Sequence, residues 1–300
     1  MKLTITPAKL YGAVTPPPSK SLAHRLLIAA ALSDGRSVIT GLGDSQDIAA
    51  TRRCLSALGA GIEDLEENAV RVHGLGSSII QAGPAPILDC GESGSTLRFL
   101  IPLALLVNGK ATLTGHGRLM ERPLKPYEDL FRERGITWEI KDGVLTVDGG
   151  RGYDCLALDP GEYRLPGNVS SQFFTGLLFA LPLLDGDSAL VPTTPLESRD
   201  YLELTRQVQA LAGVHSRWQG DALFIPGNQR YQSFTASVEA DWSQAAFWYA
   251  ANFLGGEVDV RGLDPRSAQG DRVISQLCFR LAQPGEAEID VSGCPDLLPP

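Results

Sequence analysis

Lysine, arginine and hydroxyl side chains gather where apolar runs of this chain begin. The clearest case is Pro16-Pro17-Pro18-Ser19-Lys20-Ser21-Leu22-Ala23-His24-Arg25. Three prolines hold an extended lead-in, because each fixes φ and keeps the preceding residue out of the helical region. Ser19 or Ser21 can then cap a helix whose apolar body is Leu22, Leu26, Leu27, Ala30 and Ala31. Lys20 falls at the helix mouth and Arg25 about one turn in. A helix mouth presents free backbone N–H groups and the positive end of a macrodipole, so this set suits a phosphate or a carboxylate. A capped surface helix with two solvated cations explains the same residues without a ligand.

The elements needed to position such mouths recur. Each unit has a small polar start, an apolar helix, a Gly stop, a short strand, an amphipathic helix, a second Gly and a hairpin. The spacing predicts helices over 21–32 and 46–58, a strand over 37–40, and two strands within 61–72 turning at Glu67-Asn68. The second unit starts at Gly94-Ser95-Thr96, with helices over 97–107 and 123–134, a strand over 111–114 and a hairpin over 136–147 turning at Asp142-Gly143. The third starts at Ser170-Ser171-Gln172, with helices over 173–184 and 199–211, a strand over 189–192 and a turn at Gly220-Asp221. The fourth starts at Asp241-Trp242-Ser243, with a helix to 254, a strand over 257–260 and a helix over 269–281; a fifth start appears at Pro295-Asp296-Leu297-Leu298. Four β-α-β-α-β-β units with a period of about 75 residues make this an α/β chain. Equivalent helices have equivalent mouths. Parallel packing would therefore draw Lys20, Ser21, Arg25, Gly94, Ser95, Arg98, Ser170, Ser171, Gln172, Asp241 and Asp296 toward one anion-binding surface.

Composition bounds the function. Three hundred residues suffice for roughly two domains. A net charge of −9 argues against nonspecific nucleic-acid binding and makes the local cations stand out as a site for a small anion. Cys54, Cys90, Cys155, Cys278 and Cys294 are odd in number with no C-x-x-C pair, which reads as reduced thiols in a cytoplasmic protein, most of them core residues. His24, His73, His116 and His215 show no metal-ligand spacing. The N-terminus alternates like a strand and lacks the apolar core of a signal peptide, and the apolar run 173–184 holds Gly176 and Pro182 and is too short to span a bilayer.

Several motifs, in order, resemble the 5-enolpyruvylshikimate-3-phosphate synthase family, the 3-phosphoshikimate 1-carboxyvinyltransferases. They are Pro17-Pro18-Ser19-Lys20-Ser21-x-x-His24-Arg25, Gly91-Glu92-Ser93-Gly94-Ser95-Thr96-Leu97-Arg98, Glu121-Arg122-Pro123-Leu124, Val169-Ser170-Ser171-Gln172-Phe173 and Val238-Glu239-Ala240-Asp241. The resemblance implies transfer of the enolpyruvyl group of phosphoenolpyruvate to the 5-hydroxyl of shikimate 3-phosphate, with release of phosphate and no cofactor. It implies an inside-out α/β barrel fold of two domains, one whole over 14–235 and one partial, built from 1–13 with 236–300. By position it gives Lys20 contact with both substrates and a proton-transfer role. Ser21, Arg25, Ser170, Ser171, Gln172, Ser198, Tyr201 and Asp296 would hold shikimate 3-phosphate, with Asp296 on the reacting hydroxyl. Gly94, Arg122 and Gln172 would join Lys20 around phosphoenolpyruvate. Plainer roles stand beside these: helix caps for Ser170, Ser171 and Asp241, a tight turn for Gly94, a core aromatic for Tyr201, an ion pair for Arg98, a surface cation for Arg118 and a structural ring for His24.

Two departures from the family pattern bear on that expectation. Glu92 and Ser95 stand where many members have Asn and Thr. The family has six units and this chain four and a start, so the chain reads as C-terminally truncated, expected to bind shikimate 3-phosphate weakly, to turn over poorly and to self-associate through bare apolar faces. The full-length form would be a monomer. The related UDP-N-acetylglucosamine enolpyruvyl transferases have Lys-Asn at the position of Lys20-Ser21 and a reactive Cys in the loop that here reads Gly115-His116-Gly117-Arg118, and both differences count against them. A noncatalytic binding fragment is the remaining alternative.

Overall fold

The computed structural model describes residues 6, 8–66, 68–76, 83–150, 157–283, 285, 291, 294 and 297. In chain order its elements are β1 (Tyr11–Val14), α1 (Lys20–Leu32), β2 (Arg36–Thr40), α2 (Gln46–Ala57), β3 (Gly61–Leu65), β4 (Ala69–His73), β5 (Ile87–Asp89), α3 (Gly94–Asn108), β6 (Lys110–Thr114), α4 (Lys125–Glu133), β7 (Thr137–Lys141), β8 (Val144–Asp148), β9 (Gly161–Leu165), α5 (Ser171–Ala180), β10 (Ser188–Pro192), α6 (Arg199–Leu211), β11 (Arg217–Gln219), β12 (Ala222–Ile225), β13 (Thr235–Ser237), α7 (Trp242–Phe253), β14 (Glu257–Val260) and α8 (Ile274–Leu281). No helix among the described residues is long and apolar enough to cross a membrane.

Caps decide where the inner helices start. The Ser19, Ser93 and Ser170 hydroxyls accept from Leu22, Thr96 and Gln172 N–H at the mouths of α1, α3 and α5, and the Asp241 carboxylate accepts from Gln244 N–H at α7. Because Ser93 is the cap, α3 starts at Gly94, three residues before the expected start. Pro182 lacks an N–H, so α5 closes at Ala180 and the chain runs on as a 3₁₀ turn over Leu181–Leu183. The expected helix over 269–281 divides into a 3₁₀ turn, Gly270–Val273, and α8. The β7–β8 hairpin turns at Asp142 and Gly143 with φ of 50° and 74°, the pair of positive values that a two-residue turn of this kind requires.

Three sheets share one plan. Their strand orders are β13-β2-β4-β3, β5-β6-β8-β7 and β9-β10-β12-β11. In each, a short strand pairs in parallel with the strand that follows an apolar helix, and a hairpin adds two antiparallel strands on the other side. Helices α1, α3 and α5 are buried over nearly their whole length, which an almost wholly apolar helix demands, whereas α2, α4 and α6 bury only one face each. The inner helices and the covered sheet faces share one hydrophobic core, so the implied barrel is an arrangement of open sheets around helices.

The fourth unit corrects the reading of four equal repeats. Among the described residues its sheet has two strands, β1 and β14, paired in parallel from Tyr11↔Glu257 to Val14↔Val260. Among the described residues no hairpin follows α8. Chain length explains this: 35 residues lie between Ala57 and Ser93, 36 between Glu133 and Ser170 and 29 between Leu211 and Asp241, but 13 between Leu281 and Pro295. Asn252, near the end of α7, bonds the side of β14 that faces away from β1. Its amide donates to Val258 C=O and its carbonyl accepts from Val258 N–H, both at 2.8 Å. A small second core of Trp242, Ala245, Ala246, Ile274, Leu277, Cys294 and Leu297 lies beneath, while Tyr11 and Leu254 are each 84% exposed. Of the described cysteines, Cys54, Cys90 and Cys294 are buried and Cys278 is half-buried.

A close contact in the main core joins α3 to α5 at Gly176. A Cβ there would stand 2.4 Å from Tyr127 Oη and 2.7 Å from the Arg98 carbonyl. Gly176→Ala is therefore expected to destabilise the fold by about 1–3 kcal/mol, read as a lower urea midpoint with an unchanged m-value.

Candidate active site

A cleft of about 450 Å³ opens where the inner helices begin, and Lys20, Ser21, His24, Arg25, Ser95, Ser170, Ser171, Gln172, Ser198 and Tyr201 line it. Asp47, Phe99, Val169 and Glu197 complete the wall. The lead-in to α1 is tied across the cleft's rim: Ser19 N–H donates to Glu239 C=O and Asp241 N–H to Pro17 C=O, each at 2.9 Å. This clasp fixes the start of α1 and brings Asp241 into the field of Lys20. Burial raises the Asp241 carboxyl above its usual range, against the opposing pull of its cap bonds and Lys20. The Lys20 ammonium is half exposed and 3.2 Å from Asp47 Oδ2.

Arg25 is buried, and its guanidinium is already well occupied. Nε donates to Thr205 Oγ1 at 2.8 Å, Nη1 to Ser21 C=O at 2.7 Å and Nη2 to Tyr201 C=O at 3.1 Å. The head group also lies against the Phe99 and Tyr201 rings. Burial lowers its pKa from 12.5 to about 10, so it remains a cation at neutral pH. Arg25 thus ties α1 to α6, and two of its five N–H groups stay outside these bonds. Ser198 caps α6 with φ of 56° and no side-chain cap bond, so its hydroxyl is not spent on the helix as those of Ser19, Ser93 and Ser170 are. Positive φ at a non-glycine residue stores strain, and strain of this kind concentrates at functional sites.

Gln172 joins the cleft to a second cationic group. Its Nε2 donates to Ser95 Oγ at 3.0 Å and its Oε1 accepts from Arg98 Nη1 at 2.6 Å. Arg98 is therefore a partner of Gln172, not the ion-pair residue of the plainer reading. Burial first, then the neighbouring Arg122 cation, lower its pKa. Gly94 is the floor of this end: a Cβ there would meet Arg122 Nη1 at 2.6 Å and Arg98 Nη1 at 3.5 Å. Two guanidiniums standing over one glycine repel each other, and an anion between them relieves that repulsion. Gly94 and Arg122 do not line the main cleft but adjoin it through Arg98 and Gln172. The carboxylate of Glu92, the acidic departure, lies over Gly117. Arg118 is exposed and pairs with Glu121, as a surface cation does. Asp296 lies outside the described residues, although Cys294 and Leu297 on either side are buried in the small core.

The sequence gives no site role to Asp47, Glu197, Phe99 or Val169. Asp47 stands in the first turn of α2, where an acid reads simply as a dipole partner, and only its opposition to Lys20 marks it. His24 is a structural ring in the plainer sequence reading. It is buried, and its Nδ1 lies 2.7 Å from Thr51 Oγ1.

Two measurements follow from this geometry. Burial, with Arg25 next in weight, lowers the His24 pKa from 6.5 to about 3, against Asp47. The unfolded chain therefore takes up a proton below pH 6.5 that the folded chain refuses until about pH 3, and stability falls as the pH drops through that window. His24→Asn should flatten this stretch of a urea-midpoint-against-pH curve. Gly94→Ala should push the Arg122 guanidinium off its seat and weaken inorganic phosphate binding by about 1.5–3 kcal/mol, measured by titration calorimetry.

Comparison with known proteins bears on the family. The family model described as EPSP synthase (3-phosphoshikimate 1-carboxyvinyltransferase) matches residues 5–291. A protein of Clostridium perfringens (strain SM101 / Type A) named 3-phosphoshikimate 1-carboxyvinyltransferase is 40% identical over 317 aligned positions, covering 99% of this chain and 72% of the relative. One of the same name from Clostridium kluyveri is 42% identical, covering 99% and 71%. The 317 positions exceed the 300 residues here, so at least 17 of them face gaps in this chain, a shortfall like that after α8. An EPSP synthase structure from Acinetobacter baumannii superposes with a TM-score of 0.69 at 24% identity, over 85% of this chain and 56% of that one, and a second from the same organism with 0.70. The chain thus spans a little over half of those solved chains and nearly three quarters of the curated relatives. The chain belongs to the EPSP synthase family.

Proposed function

We propose that this chain carries the main substrate-binding half of an enzyme that moves the enolpyruvyl group of phosphoenolpyruvate to the 5-hydroxyl of shikimate 3-phosphate in the cytoplasm. The observation that carries the reading is the meeting of Lys20, Ser21, Arg25, Ser170, Ser171, Gln172, Ser198 and Tyr201 in one cleft. Hydroxyls, amide and cations there match a phosphorylated polyol. The Arg122–Gly94–Arg98 end suits a second small anion, phosphoenolpyruvate. Residues 14–235 form the whole domain, and 1–13 with 236–300 part of the other.

In the reaction the 5-hydroxyl adds to the enol carbon while the methylene carbon takes a proton. The tetrahedral adduct then loses phosphate and a proton to restore the double bond. Lys20 is the proton donor and the neutralising charge beside the adduct, and Asp296 accepts from the hydroxyl. Asp47, 3.2 Å from the Lys20 ammonium, keeps it aimed until substrate arrives.

Binding without turnover is the second reading, favoured by the β1–β14 sheet, which has no hairpin among the described residues, and by the exposed apolar side chains around it. Phosphate release from the two substrates separates the two readings. The enzyme reading expects release that Lys20→Met lowers at least a hundredfold while shikimate 3-phosphate still binds. Calorimetric binding with no release leaves the second reading, and no binding defeats both.

A further inference from the structure

A chain of buried hydroxyls behind the cleft has a readable direction. His24 Nδ1, Thr51 Oγ1, Thr96 Oγ1 and Ser93 Oγ follow one another at 2.7 Å each, running from α1 through α2 to the mouth of α3. The short Thr96–Ser93 contact has Thr96 as its donor, and Ser93 Oγ also accepts from Thr96 N–H. Thr96 has one hydroxyl proton, so it has none for Thr51, and Thr51 must donate to Thr96. Thr51 in turn has none for the histidine, and His24 must donate from Nδ1. The relay thereby fixes one tautomer, with Nδ1 protonated and a lone pair on Nε2.

No described protein group bonds Nε2, and the atom is absent from the buried polar atoms left without a partner. It therefore meets the cleft that His24 lines. We propose that His24 is a specificity-determining residue, whose Nε2 lone pair accepts a hydrogen bond from a hydroxyl of the ring bound in the cleft. This rests on the shikimate 3-phosphate reading. Lys20, Arg25 and the neighbouring serines attract any anion, and they do so without ordering its oxygens. A neutral acceptor among them welcomes an O–H and repels a phosphate or carboxylate oxygen, so it sets which way round a phosphorylated polyol enters. Burial and the facing cations Arg25 and Lys20 keep the ring neutral through the physiological range, against the opposing pull of Asp47. Thr51 and Thr96 are positioning residues, acting through the tautomer.

Nitrogen NMR of the ¹⁵N-histidine-labelled chain tests this, with His24 assigned by its loss in His24→Phe. In the free chain His24 should show a protonated Nδ1 and a pyridine-like Nε2, unchanged from pH 5 to 8. Shikimate 3-phosphate should shift Nε2 in the direction of an accepted hydrogen bond, and inorganic phosphate should not. His24→Phe, which keeps a planar ring without the nitrogens, should lose roughly five- to tenfold in affinity for shikimate 3-phosphate and little for phosphate. Thr51→Val should lose the same factor and show the proton moving to Nε2. A protonated Nε2 in the free chain overturns the proposal, whatever binds. Binding of shikimate 3-phosphate seen by calorimetry with an unmoved Nε2 overturns it alone. Absence of binding overturns the functional reading and this inference with it.

Discussion

Three apolar helices of one core open their first N–H groups into a single cleft. Helices α1, α3 and α5 are buried almost from end to end, so their mouths cannot be scattered over the surface and open together. Serine caps take one donor at each mouth, and the remaining donors, with the aligned dipoles behind them, make the opening positive. The rest of the site elaborates that constraint. Lys20, Arg25, Arg98 and Arg122 add full charges where the partial charges already converge, in a chain whose overall charge is −9.

Cations this close need restraint, and the surrounding groups provide it in different ways. Lys20 is checked by Asp47, Arg25 is held by carbonyls and aromatic faces, and Arg98 is held by Gln172. Arg122 depends on an absent side chain, since its head occupies the volume a Cβ on Gly94 would take. Restraint of this kind keeps the charges in place before any anion arrives, which lowers the reorganisation needed on binding.

Local signals made the front half of each unit legible. Ser19, Ser93, Ser170 and Asp241 mark the inner helices because capping is a property of neighbouring residues, and Asp142-Gly143 marks its hairpin for the same reason. Asp47 and Glu197 were not legible, because their place in the cleft depends on how α2 and α6 dock against α1. The tautomer of His24 depends on Thr51 and Thr96, 27 and 72 positions away, which no spacing rule connects. The short fourth unit was hidden by its own regularity, since helix, glycine and strand recur there on schedule and the deficit comes only after α8.

The parallel pairing of β1 with β14 joins residues 246 positions apart, from Tyr11 to Glu257. Closing so long a loop in an unfolded chain is entropically costly, and the gain from four residues of strand cannot offset it. The clasp at Pro18 and Ala240 changes that arithmetic, because it brings the two ends of the main body side by side once that body has formed. Assembly therefore has an order: the three-sheet body condenses first, and the terminal strand docks last onto a partner already held within reach.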